Sequence, residues 1–156
     1  MELVEAAQIN RALNKMAKLY RAAKARKLAT LGLHPGQDVL LWVLARSGNG
    51  MTVSELAARL GVESPTATRS LARMEGTGLF RREPVVGDRR QVRIVLTEPG
   101  RDLISDVEQI WAELADDTLG PLPPADRRFV VESIEQANDR LRRLVGDAAE
   151  AVLADG

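Results

Sequence analysis

Cysteine is absent from all 156 residues. That excludes a disulfide framework, a thiolate nucleophile and a cysteine-built metal site. At this length a core can form without such staples. Histidine occurs once, as His34, so catalysis would have to rest on carboxylates or lysines. The one tight carboxylate pair, Asp116-Asp117, sits beside a helix end where solvated charge is ordinary. Nothing sets a nucleophile beside an oriented base. The chain is therefore expected not to be an enzyme and to carry neither metal nor cofactor. Long apolar runs are also missing: none approaches the ~20 residues a membrane span needs. The opening MELVEAAQIN has no basic segment followed by an apolar one. A cytoplasmic protein without a secretory leader is expected.

Net charge is zero as well, but the charges are segregated. Residues 1–50 hold 8 basic and 3 acidic side chains, residues 51–100 hold 8 and 6, and residues 101–156 hold 6 and 13. Seven Lys or Arg fall between Arg11 and Lys27 with no acid among them. Such asymmetry suits a basic face for a polyanion with acidic helices elsewhere. A dipolar, merely solvated surface accounts for the charge pattern nearly as well.

Apolar spacing organises the chain into helices around one ribbon. Leu3, Ala6, Ile9, Leu13, Met16 and Tyr20 predict an amphipathic helix over 3–29. After Gly32, Pro35 and Gly36, a second apolar segment runs from Val39 to Leu44 and fades at Ser47-Gly48-Asn49-Gly50. A third helix begins at Thr52, which forms a capping-box pattern with Glu55, and ends at Gly61. Ser64 as N-cap and Pro65 at the first helical position open a fourth, stopped by Gly76 and Gly78. The ribbon follows, with Phe80, Val92, Ile94 and Leu96 pointing inward at period two and Arg81, Arg93 and the tip exposed. Helix resumes at Thr97-Glu98-Pro99-Gly100, breaks over 119–124, and runs on from about 125 to 153. The terminal helices carry stripes too narrow to stand alone, so they call for partners.

Two elements carry the chemistry. Thr52 to Glu75, TVSELAARLGVESPTATRSLARME, has the small Ala57, the stop at Gly61 and the corner residue Val62 of a helix-turn-helix. Its second helix presents Ser64, Pro65, Thr66, Thr68, Arg69 and Arg73 without an acid, a set of donors suited to phosphates and base edges in a major groove. A plain helical hairpin with a polar face is the weaker alternative. The ribbon RREPVVGDRRQVRIVL packs five arginines into sixteen positions. Arg89 and Arg90 stand at its tip, where a narrow minor groove attracts arginine. Asp88 would repel DNA, so it is read as a brace for an arginine, orienting more than stabilising. Arg81, Arg82 and Arg93 are read as ribbon-flank charges, with phosphate contact as one role and solvation as the default.

From Leu33 to Gly100 the chain resembles the winged helix-turn-helix of MarR-type bacterial transcription regulators. The carrying segments are TVSELAARLGVESPTATRSLARMEGTGLFRR and GDRRQVRIVLTEPG, and the terminal helices match that family's dimerisation region in placement. The resemblance implies a mainly α fold with a small β-hairpin wing, an α+β winged helix-turn-helix over 33–100. Residues 1–31 and 101–156 would form a helical dimerisation region. It implies that Ser64 to Arg73 lie in a recognition helix and that Arg90 is the wing arginine, with Asp88 its structural partner. Two departures stand out. Glu83-Pro84 in the first wing strand limits pairing to an edge, and the lack of cysteine removes the thiol-oxidation sensing of one branch.

The resulting expectation is a homodimeric regulator of double-stranded DNA, a repressor in type, on a roughly palindromic operator. Two recognition helices would enter major grooves about 34–36 Å apart. Many members of the family are released by small aromatic or anionic effectors, and Tyr20, His34, Trp42 and Trp111 are the candidates for such a pocket. For each, packing is the better reading. The competing function is a winged-helix module for protein association, since fold alone does not decide function.

Overall fold

A computed structural model describes residues 1–145, with Arg89 and Arg90 described by their backbone alone. The elements in chain order are α1 (Leu3–Leu28), a 3-10 turn (Ala29–Leu31), α2 (Gln37–Ala45), β1 (Met51–Thr52), α3 (Val53–Leu60), α4 (Ser64–Arg73), β2 (Phe80–Val85), β3 (Asp88–Leu96), α5 (Glu98–Leu119) and α6 (Pro124–Val145). The expected continuation of the last helix towards 153, with Ala148 and Val152, lies outside the described residues. None of the described helices is long and apolar enough to cross a membrane.

The core gathers Leu28 from α1, Leu40, Leu41 and Leu44 from α2, Leu56 from α3, Leu71 from α4, Ile94 and Leu96 from β3, and Val107, Ile110 and Leu114 from α5. Each fully buried leucine contributes about 1.5–3 kcal/mol. α3 begins as its sequence dictates: Thr52 Oγ1 accepts the Glu55 amide, and the Glu55 carboxylate accepts the Thr52 amide at 2.8 Å. It ends at Gly61 in the left-handed region, with the Val62 amide returning to the Ala57 carbonyl at 3.0 Å. Ala57 and Ala67 are both buried, so the two helices approach through small side chains.

The ribbon belongs to a three-stranded antiparallel sheet ordered β1-β3-β2, in which Met51 faces Ile94 and Thr52 faces Arg93. β1 was not foreseen, because two residues carry no period and Thr52 also serves as the helix cap. Pro84 lies on the edge strand β2, opposite Val92, and the register shifts at Pro84/Val85. This agrees with the limit that proline sets. The inward position assigned to Val92 needs correction: it is 38% exposed. β1 reaches only to Arg93, so towards the tip β3 is paired with β2 alone. Val95, on the opposite face, is buried, and a Cβ on Gly50 would run into it.

The junction from wing to α5 explains the Leu-Thr-Glu-x-Gly restart. Thr97 caps α5 by accepting the Gly100 amide, and its hydroxyl donates to the Gly78 carbonyl at 2.5 Å. Any side chain at Gly100 would collide with the Leu79 carbonyl, which is why the helix can pack so closely on the start of the wing.

One charged side chain among the described residues is fully buried, and sequence reading passed it over. Asp38, in the first turn of α2, meets Lys24 Nζ at 2.8 Å, the Trp111 indole N–H at 2.8 Å and the Gly36 amide at 2.9 Å. It thereby joins α1, α2 and α5. Nearby, Lys27 of α1 meets Glu113 of α5 at 2.8 Å and Asp117 at 3.7 Å. Two members of the basic run are thus used inside the fold. Arg11, Lys15, Lys18, Arg21 and Arg26 form no ion pair among the described residues.

Asp38→Asn leaves Lys24 without its counter-charge in a buried setting and should cost about 3–5 kcal/mol in urea denaturation. A loss under about 1 kcal/mol, typical of a surface pair, would contradict the joint. The Lys27 bond holds the Glu113 carboxyl below its ordinary range, while Glu113 raises Lys27. The stability from this pair is complete above the ordinary glutamate range and below the ordinary lysine range. It is lost as pH falls through the lowered Glu113 value, or rises through the raised Lys27 value. Glu113→Gln should therefore flatten the acid limb of a stability–pH curve, and an unchanged limb would contradict the assignment.

Candidate nucleic-acid interface

α4 is mounted on the core by Ala67 and Leu71, both fully buried, with Met74 buried just past its end. Its other face carries Pro65, Thr68, Arg69 and Arg73 exposed, with Ser64, Thr66 and Ser70 half-buried. The start differs from the expected one by a residue. Glu63, not Ser64, is the N-cap, and its carbonyl accepts the Thr66 and Ala67 amides at 3.0 and 3.1 Å. Ser64 and Pro65 therefore occupy the first two helical positions, where a proline removes a donor that had no partner anyway. No side chain caps this end, and with Pro65 lacking a donor and Thr66 and Ala67 bonded to Glu63, the Ser64 amide is the one helical donor left at the positive end of α4.

Thr68 donates its hydroxyl to the Ser64 carbonyl at 2.9 Å, which leaves the oxygen as an acceptor towards solvent. Arg69 is exposed and makes no ion pair among the described residues. The helix has no acid along its length, so its outer face is polar and cationic. Arg73 also lines a groove of about 370 Å³ with Ser70, His34, Pro35, Gly36 and Gln37.

The wing leaves the sheet beyond Arg93 and turns at Val86-Gly87, with Val85 opposite Asp88 across a two-residue loop. Gly87, the second central residue, has φ +93°, the left-handed region that a type II turn requires there. Asp88 is half-buried at the start of β3. Arg89 and Arg90 continue that strand, and their side chains lie outside the described residues. Arg81 and Arg82 are exposed, as their flank position implies, and all three remaining ribbon arginines are paired with an acid. Arg81 meets Glu83 at 2.6 Å, Arg82 meets Glu75 at 3.3 Å and Arg93 meets Glu55 at 3.4 Å. Arg93, expected to be exposed, is half-buried. The Thr52 amide, and after it Arg93, hold the Glu55 carboxyl below its ordinary range.

The four aromatic candidates do not share one cavity with each other in the grooves described here. Trp42 and Trp111 pack together, ring centroids 5.6 Å apart and tilted by 55°. Both indole N–H groups are engaged, Trp111 with Asp38 and Trp42 with Glu108 at 2.9 Å, and the Arg46 guanidinium lies 4.3 Å from the centre of the Trp42 ring. Tyr20 is exposed on α1, and His34 opens onto the groove beside α4.

A helix-turn-helix with a cationic outer face, followed directly by an arginine-tipped hairpin, defines a winged helix-turn-helix protein. Residues 31–91 match the family model described as MarR family. Among solved structures, AbsC of Streptomyces coelicolor, a MarR family transcriptional regulator, is 24% identical with a TM-score of 0.76, covering 91% of this chain and 97% of its own. Reduced AbfR bound to DNA is 26% identical with a TM-score of 0.67, over 89% and 95% of the two chains. The organohalide-sensing regulator RdhR in its 2,4-dichlorophenol-bound form is 20% identical with a TM-score of 0.77, over 90% and 82%. Residues 31–91 thus carry a MarR-family segment, and the whole chain shares the fold of these regulators.

Proposed function

We propose that this protein is a cytoplasmic, homodimeric regulator that binds double-stranded DNA at a roughly palindromic operator, in the manner of a repressor. The observation that carries this reading is the acid-free outer face of α4 held rigidly beside the hairpin. Arg69, Arg73, Thr68 and the Ser64 amide of α4 supply phosphate and base contacts. Arg90, with Arg89, reaches the flanking minor groove, and Asp88 braces it. The likeness to DNA-bound AbfR supports the same reading. Residues 33–100 act as the reading unit, and residues 1–31 and 101–156 as the dimerisation region.

The dimer follows from surface left bare in the single chain. α6 has no buried residue, and Phe129, Ile134, Leu141 and Leu144 are exposed along it. α1 buries only Leu28, leaving Leu3, Ile9, Leu13, Met16 and Leu19 open. Apolar area on this scale marks an association surface. Release by a small aromatic or anionic effector belongs to the same reading, by likeness to the dichlorophenol-bound regulator. His34 would meet such a ligand directly, whereas Trp42 and Trp111 would act through their packing and Tyr20 from α1.

Sedimentation should return a dimer, and Leu13→Lys with Ile134→Glu should return a monomer of intact helicity that binds DNA weakly. A wild-type monomer would contradict the assembly. In anisotropy titrations with operator duplex, affinity should fall steeply with salt, the slope dropping by about one for each phosphate contact removed by Arg69→Ala or Arg73→Ala. Arg90→Ala should weaken binding most where the flanks are A·T-rich. Salt-insensitive binding would refute the electrostatic account, and an Arg90→Ala variant equal to wild type would refute the wing's role.

A further inference from the structure

Each strand of the wing is tied to the helix-turn-helix by a charge pair that the reading above leaves unused. On β3, Arg93 Nη2 stands 3.4 Å from Glu55 Oε2, the same oxygen that accepts the Thr52 amide at the cap of α3. On β2, Arg82 Nη2 stands 3.3 Å from Glu75 Oε2, just past the end of α4. Arg93 Nε is buried without a hydrogen-bond partner among the described residues, so the guanidinium is held through Nη2 and Glu55.

Arg93 also occupies a special register. It is paired across the sheet with Thr52 on one side and Glu83 on the other. Towards the tip β3 has only β2 beside it, and that ladder is weakened by Pro84 and by the shift at Pro84/Val85. A groove of about 380 Å³ lined by Thr52, Val53, Ser54, Gln91 and Val92 separates the outgoing strand from α3. The outer hairpin therefore departs from Arg93 with little else to aim it.

We propose that Arg93 and Glu55, assisted by Arg82 and Glu75, set the angle at which the wing leaves the helix-turn-helix and are positioning residues for its tip. The proposal rests on the DNA-binding reading given above. Partly exposed pairs of this kind shift a two-state equilibrium by no more than about fivefold, which is enough to change how often the tip sits over the minor groove. The rival role for Arg93 is a direct phosphate contact, and the two roles have opposite signatures.

The test uses the full-length dimer and an operator duplex recovered from genomic DNA, its flanks rebuilt as A·T or as G·C. Glu55→Gln keeps the cap, since glutamine serves at that capping-box position, and removes only the charge. Positioning predicts that Glu55→Gln and Arg93→Gln each lose about two- to fivefold of the A·T-over-G·C preference, with the salt slope unchanged. The double variant should be no worse than either single one. A phosphate contact predicts instead that Glu55→Gln tightens binding to both duplexes and that Arg93→Gln lowers the slope by about one. That pattern, or full flank preference in both single variants, overturns the proposal. Thermal unfolding of each variant is read alongside, and Glu55→Gln reports even if Arg93→Gln folds poorly. A wild type that binds neither duplex overturns the DNA-binding reading and takes this proposal with it; binding without wing positioning overturns the proposal alone.

Discussion

A carboxylate with no exposed surface anchors this structure. Removing an ion from water is costly, and the cost is offset only where its lone pairs and charge are all met. Asp38 meets a lysine from α1, an indole from α5 and a backbone amide at the start of its own helix. Shift any of the three helices and one of these contacts is lost while the charge stays buried. The joint therefore constrains direction more tightly than the surrounding leucines, whose attraction is non-directional. Trp111 extends it to Trp42, Glu108 and Arg46.

From that joint the rest of the molecule follows in two directions. Outward, α1 and α6 carry apolar side chains that the described residues leave exposed. Inward, α2 and α5 form the bed on which α3, α4 and the sheet are laid. α4 needs only Ala67 and Leu71 to seat, which frees its outer face for donors. The wing is stitched to α5 through Thr97 and Gly100 at its base, and to the two helices of the helix-turn-helix through charge pairs higher up. A reader of DNA built this way holds its helix firmly and its wing by contacts that small energies can adjust.

Local chemistry made much of this legible beforehand. The cap at Thr52 and Glu55, the stop at Gly61 and the corner at Val62 each depend on a few adjacent residues, and each stands where the spacing puts it. What was missed depended on neighbours distant in sequence. Asp38 looked like one more helix-entry acid because Lys24 and Trp111 are not adjacent to it in the chain. β1 is too short to show a period. Val92 and Arg93 were assigned by alternation alone, which holds only while both faces have the same cover along the strand. Here β1 ends at Arg93's partner, so Val92 emerges and Arg93 is drawn in. The pairings of the ribbon arginines Arg81, Arg82 and Arg93 escape a sequence reading because their acids come from a strand neighbour, a helix end and a helix cap.

On the proposed reading, two copies of this chain present two recognition helices to DNA at a fixed separation. Sequencing the genomic fragments that the full-length protein retains tests it most directly. The account predicts one enriched motif made of two inverted half-sites, their centres about one helical turn (10–10.5 base pairs) apart, with A·T-rich sequence where the wings fall. Enrichment of a single half-site without a fixed partner would contradict the rigid dimer, and no enrichment at all would contradict DNA reading and favour a winged-helix module for protein association.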